Sequence, residues 1–120
     1  MNLQDSKYRR FNLGKEMLET PQVVRRIDWS QTDRAAEALQ GIEGRLLLSG
    51  EGSSRIFPAK RAITETLRRG SRRSAITEGA TQALKYDLRG GAACIASNSG
   101  KTKEGLRLVR KLKNEGILTV

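Results

Sequence analysis

Apolar residues change their spacing along this chain near position 44. Before it they recur every three or four residues among charges, which is a helical period. Thr20-Pro21 reads as an N-cap followed by a first-turn proline and predicts a helix with Val23, Val24 and Ile27 on one side. Ser30, with Asp33 three residues on, resembles a capping arrangement for a second helix through Ala35, Ala36, Ala38 and Leu39, stopped by Gly41 and Gly44. Beyond Gly44 short apolar runs alternate with helical patterns. Leu46–Leu48 is too short for a helix and reads as a buried strand. Ile56, Ala59, Ile63 and Leu67 predict an amphipathic helix that Gly70 ends, with Pro58 in its first turn, where a missing N–H costs little. Ser74–Thr77 predicts a second strand and Ala80–Tyr86 a short helix. Gly90-Gly91 breaks the chain before a third strand, Ala92–Ala96. Leu106, Val109 and Leu112 continue helically from Thr102 to a C-cap at Gly116, and Ile117–Val120 closes as a fourth strand.

Strands and helices that alternate with connections this short require parallel pairing, because each crossover helix returns the chain to the same end of the sheet. The predicted fold class is α/β: a parallel sheet with flanking helices in residues 45–120, preceded by a helical segment in residues 1–44. There is no internal repeat, low-complexity tract or linker. The chain stops on an apolar strand without a polar tail or a closing helix, so the sheet reads as incomplete and the sequence as the front part of a longer protein. Such a sheet leaves an edge and an apolar face uncovered, which predicts self-association or pairing with a downstream portion.

Composition narrows the chemistry. The 120 residues suffice for one ordinary domain, and with 37% hydrophobic and 4% aromatic residues its core must be aliphatic. No apolar run approaches the ~18–20 residues of a membrane span. Met1 to Arg10 is too polar for a secretory signal, which makes the cytoplasm the expected location. Histidine is absent and Cys94 is the single cysteine, which excludes histidine-dependent triads, zinc clusters and intramolecular disulfides. Neither a metal nor a cofactor is expected. The net charge of +10 belongs entirely to residues 45–120, since residues 1–44 carry seven basic and seven acidic side chains. A field of that size gathers anions, whether phosphorylated metabolites, nucleic acid or an acidic partner.

Two turns rich in serine and glycine stand at equivalent places, each after a strand and before a helix: Ser49-Gly50-Glu51-Gly52-Ser53-Ser54 and Ser97-Asn98-Ser99-Gly100-Lys101-Thr102. Turn residues of this kind usually do no more than cap and turn. As a pair at matching positions in a basic region, they form a phosphate cradle: glycines admit a ligand close to the backbone, helix N-termini offer unpaired N–H groups, and hydroxyls complete the shell. Two sharper motifs fail. Gly100-Lys101-Thr102 is not a P-loop, because Ile95 stands where its first glycine belongs. Gly50-x-Gly52 is not a dinucleotide fingerprint, because Arg55 occupies its third glycine position.

These turns resemble the sugar isomerase (SIS) domain family. Leu46–Leu48 followed by Gly50-x-Gly52-Ser53-Ser54 is similar to that family's G-x-G-[TS]-S turn. Ala92–Ala96 followed by Ser97-x-Ser99-Gly100-x-Thr102 is similar to its S-x-S-G-x-T turn, and Leu106–Lys111 to the helix after it. Lys15-Glu16-Met17-x-Glu19-x-Pro21 resembles the entry to the isomerase half of glucosamine-fructose-6-phosphate synthase and its deglycase relatives. The resemblance implies a flavodoxin-like sheet and a sugar phosphate held by Ser53, Ser54, Ser97, Ser99 and Thr102, with Asn98 also at the site. It further implies a dimer or a second such domain downstream, with the catalytic groups there or on a neighbouring subunit, so that this chain alone turns over nothing. Ser53 stands where threonine is commoner, Arg55 where an aromatic is often found, and Lys101 where glutamate is usual.

Other notable residues have ordinary structural roles open to them. Glu78 is placed to serve as a base, although capping the next helix is the commoner fate of such a carboxylate. Cys94 in a buried strand behaves as a small hydrophobe. Arg68-Arg69 and Arg72-Arg73 form the densest basic cluster, but with no interleaved aromatics they read as a solvated loop rather than a nucleic-acid surface. Trp29 reads as a packing anchor. The leading reading is a phosphosugar-binding domain from an amino-sugar isomerase or deglycase. The alternatives are a sensor that binds the same ligand without turnover and a basic nucleic-acid-binding protein.

Overall fold

The computed structural model describes residues 5–9 and 11–120. The chain divides into two compact units, Met1–Arg34 and Ala35–Val120. The first holds α1 (Ser6–Arg9), α2 (Asn12–Arg25) and the start of α3 (Ser30–Gln40).

Helix α2 corrects the expected N-cap at Thr20-Pro21: it runs straight through both residues. Lys15 to Glu19 are all strong helix formers, and Leu13 and Met17 extend the apolar stripe upstream, so the helix is established before the proline is reached. Pro21 forfeits only the N–H that the Met17 carbonyl would accept. Thr20 turns its Oγ1 back to the Glu16 carbonyl at 2.8 Å instead of capping anything. No residue of α2 is buried. At the start of α3 the cap also differs from expectation: Asp28 Oδ1 accepts from the Ser30 backbone N–H at 3.0 Å. That hydrogen bonding to Ser30 holds the Asp28 carboxyl below its ordinary pKa.

The second unit is α/β. It contains β1 (Leu46–Gly50), α4 (Ser53–Arg68), β2 (Ala75–Gly79), α5 (Ala80–Ala83), β3 (Ala92–Ala96), α6 (Lys103–Asn114) and β4 (Leu118–Thr119). The four strands form one sheet in the order β2-β1-β3-β4, all parallel, which is the strand order of flavodoxin-like folds. Several boundaries move from the sequence reading. Helix α4 begins at Ser53, so Pro58 lies in its second turn and removes the donor for the Ser54 carbonyl. Helix α5 is shorter than expected and ends at Ala83.

Register decides the core. Leu47 of β1 lies between Ile76 of β2 and Ala93 of β3, all on one face of the sheet. There Leu47 and Ala93 meet Ala80, Ala83, Leu88, Leu108, Leu112 and Ile117, all buried, with Ile76, Leu84, Tyr86 and Ile95 packed around them. The alanines at 80, 83 and 93 carry so little bulk that α5 and α6 settle close to the strands. On the other face α4 covers β2 and β1, with its own Ala59 buried.

Candidate functional site

Between β1 and β3 the winding of the sheet reverses, and the carboxyl ends of both strands finish side by side, Gly50 opposite Ala96. A crevice at such a reversal is where open α/β sheets bind ligands. The backbone closes tightly there. Gly50 has a φ of +153°, and a Cβ on it would lie 2.5 Å from the Ala96 carbonyl oxygen. Gly52, with a φ of +55°, has open space around it.

Both helices that leave this edge begin without a side-chain cap. Gly52 is the N-cap of α4, and Thr102, at the N-cap of α6, makes no capping hydrogen bond. Their first N–H groups are therefore available at the positive ends of two helix dipoles. The second turn is ordered by its own hydroxyls. Ser97 Oγ accepts from the Gly100 N–H at 3.0 Å and lies 3.3 Å from Thr102 Oγ1, while Ser99 Oγ accepts from the Lys101 N–H at 3.2 Å. A hydroxyl that accepts one bond still has a hydrogen to donate, so the turning and ligand-binding roles are compatible.

The predicted residues are brought to one edge but not into one cavity. Ser54 lines a cavity of about 290 Å³ with Leu48, Arg55, Cys94, Ala96 and Val120. Ser97 and Thr102 line another of about 340 Å³. Ser53, Asn98 and Ser99 are exposed and line neither of these two.

The partners of several residues at this edge escaped sequence reasoning. Glu51 reaches from the first turn to α5, where its Oε1 accepts from the Ala80 N–H at 3.0 Å. A carboxylate does cap the helix after β2, but it is Glu51 and not Glu78. Glu78 instead accepts from the Tyr86 hydroxyl at 3.1 Å. Partial burial, and then Glu78 itself, push the Tyr86 phenol above its ordinary pKa. Arg55, in the first turn of α4, reaches across to β2. Its Nη1 donates to Thr77 Oγ1 at 3.3 Å, Thr77 in turn donates to the Leu48 carbonyl at 2.8 Å, and the Arg55 Nε is buried without a partner. Buried Ser49 adds a further tie, donating to the Glu78 carbonyl at 2.9 Å. All these partners are distant in sequence, which left no local signal. Cys94 has its thiol pushed up by burial, as suits a packing residue rather than a nucleophile.

The arginine cluster lies at the other end of the strands, and Arg68, Arg69 and Arg73 of it have partners. Glu65 pairs with Arg61 at 2.9 Å and lies 3.6 and 3.7 Å from Arg68 and Arg69. Arg73 donates to the Gln40 carbonyl at 3.2 Å, at the end of α3. Cations at helix C-termini answer unpaired carbonyls and the negative end of the dipole. Among the described residues no group of three His, Cys, Asp or Glu side chains is placed to hold a metal ion, and no helix is long and apolar enough to cross a membrane. The chain matches no protein-family model, no curated protein and no solved structure.

Proposed function

We propose that this chain is a sugar-phosphate-binding module of the SIS type, with the phosphate at the edge between β1 and β3. The observation that carries this reading is the pair of uncapped N-termini, α4 and α6, each fronted by glycine and hydroxyls at the reversal of strand order. Backbone N–H groups and the hydroxyls of Ser53, Ser54, Ser97, Ser99 and Thr102 donate to the phosphate, with Asn98 alongside. They supply neutral donors without adding a counter-charge, and Lys101 and Lys103 contribute attraction. The parent activity is isomerisation or deglycation of an amino-sugar phosphate in the cytoplasm, with a second copy or a second such domain supplying the catalytic groups.

A sensor role is the second reading, and one observation favours it. The carboxylates beside the ends of β1 and β2 are engaged, Glu51 with the Ala80 N–H and Glu78 with Tyr86, so neither stands as the free base that aldose–ketose isomerisation needs, and Glu104 in the first turn of α6 is the remaining carboxylate near the turns. Calorimetry with a hexose 6-phosphate tests the shared binding step. A hydrogen bond to a charged group contributes ~1.5–3 kcal/mol, so Ser99→Ala should weaken binding roughly tenfold or more. Arg72→Ala should leave binding unchanged. The opposite pattern would replace the cradle with a basic-surface explanation.

A further inference from the structure

At the amino ends of β1 and β2, opposite the serine-rich turns, lies a cavity of about 760 Å³. The first residues of the two strands, Leu46 and Ala75, line it together with Ile42, Arg69, Arg72 and Arg73. Glu43 and Glu65 line it as well. The three arginines are not equivalent. Arg69 lies 3.7 Å from Glu65 and caps the carboxyl end of α4. Glu65 also holds Arg61 at 2.9 Å and lies 3.6 Å from Arg68, so its charge is more than met. Among the described residues the ion pairs include neither Arg72 nor Arg73. Arg73 gives one N–H to the neutral Gln40 carbonyl and keeps its other donors. Two guanidinium groups therefore line the cavity in surplus.

The loop that carries them is tied down. Gly70 takes a φ of +61°, and the Ser71 N–H returns to the Thr66 carbonyl at 3.1 Å. Ser71 Oγ accepts from the Arg73 N–H at 3.2 Å, and the Ser74 carbonyl accepts from the Leu46 N–H at 2.9 Å. Little ordering is left for a ligand to impose. We propose that this cavity binds a nucleoside diphosphate, with the diphosphate on Arg72 and Arg73, a sugar hydroxyl on Glu43 and the base against Ile42, Leu46 and Ala75. Guanidinium forks match pairs of phosphate oxygens, which an ammonium does not. Glu43 distinguishes this ligand from a bare polyanion: a carboxylate repels naked phosphate but accepts from a ribose hydroxyl. The volume falls within the roughly 300–1,000 Å³ of small-molecule sites. No aromatic side chain among the described residues lines the cavity, so successive stacked bases of a nucleic acid find no platform. The site lies at the opposite edge of the sheet from the serine-rich turns and does not depend on the sugar-phosphate reading.

Calorimetry on the 120-residue chain tests this, with ADP, AMP and inorganic pyrophosphate as probes. ADP should bind roughly tenfold or more tightly than AMP, which offers one phosphate. Arg72 is exposed, so Arg72→Ala should keep its circular dichroism spectrum, and it should weaken ADP binding roughly tenfold. Arg72→Lys should restore only part of that loss. Glu43→Gln should weaken ADP several-fold while tightening pyrophosphate. Arg68→Ala, outside the cavity, should change ADP binding less than about twofold. No ADP binding overturns the proposal, and so do equal losses from Arg68→Ala and Arg72→Ala, which would mean a diffuse basic surface. A gain for both ligands from Glu43→Gln overturns it in favour of a bare-polyanion site. Loss of ADP binding from Ser99→Ala but not from Arg72→Ala overturns it too, because the turns would then hold the nucleotide.

Discussion

Replacing Gly50 by alanine should damage this protein far more than replacing Gly52, two residues away in the same turn. At Gly50 two penalties combine. Its φ of +153° belongs to a region almost restricted to glycine, and a Cβ there would stand 2.5 Å from the Ala96 carbonyl oxygen, which is backbone and cannot rotate aside. Backbone strain of this kind costs ~1–3 kcal/mol, and an overlap within a packed structure costs a similar amount, so a loss of roughly 2–4 kcal/mol follows for Gly50→Ala. Gly52, at a φ of +55° with nothing within 4 Å, carries only the left-handed penalty, ~1–2 kcal/mol. Against a typical total of ~5–15 kcal/mol the first loss is a large fraction and the second is tolerable. Urea unfolding followed by circular dichroism measures both, with unchanged slopes confirming that stability rather than compactness has moved. If the two variants lie within roughly half a kcal/mol of each other, the claim that β1 and β3 touch at Gly50 and Ala96 is wrong.

Two further outcomes follow from the core and its cysteine. Leu108, fully buried on α6 within the main cluster, should lose ~2–5 kcal/mol as Leu108→Ala in the same urea assay, whereas exposed Leu67→Ala should lose far less. The Cys94 thiol, raised by burial, should alkylate with iodoacetamide at pH 8 more slowly in the folded chain than in urea. Because the folded state holds this proton more tightly, its contribution to stability is full below the thiol's unfolded pKa and is lost as pH rises through the folded one. Cys94→Ala should therefore flatten part of the alkaline decline in stability.

The four strands were legible because each has an apolar centre that local alternation exposes: Leu46–Leu48, Ala75-Ile76, Ala92–Ala96 and Leu118. Their ends were not. Ser49-Gly50 and Glu78-Gly79 are polar or small and belong to strands only because they pair with each other across the sheet. Thr20-Pro21 misled for the opposite reason: a strong local signal yields when flanking residues already propagate a helix and the proline costs a single hydrogen bond. At the candidate site the turns were readable because their chemistry lies in consecutive residues. That Glu51, not Glu78, caps α5, that Arg55 reaches from α4 to Thr77 of β2, and that the hydroxyls divide between two cavities all depend on tertiary placement.

The order β2-β1-β3-β4 has a consequence for how the chain assembles as it leaves the ribosome. β1, α4 and β2 are contiguous and can close as one βαβ unit before β3 has been made. At that stage the first hydroxyl turn is in place and has nothing beside it. β3 joins the free side of β1 only after α5 and the loop that follows it have been added, a delay of about a second at ~5–20 residues per second. The nascent unit therefore spends that interval with β1 open as a sheet edge, the form in which strands most readily pair with the wrong neighbour. The same β1–β3 seam that closes this side of β1 also brings the second turn beside the first, so the covering of that edge and the assembly of the candidate site are one event.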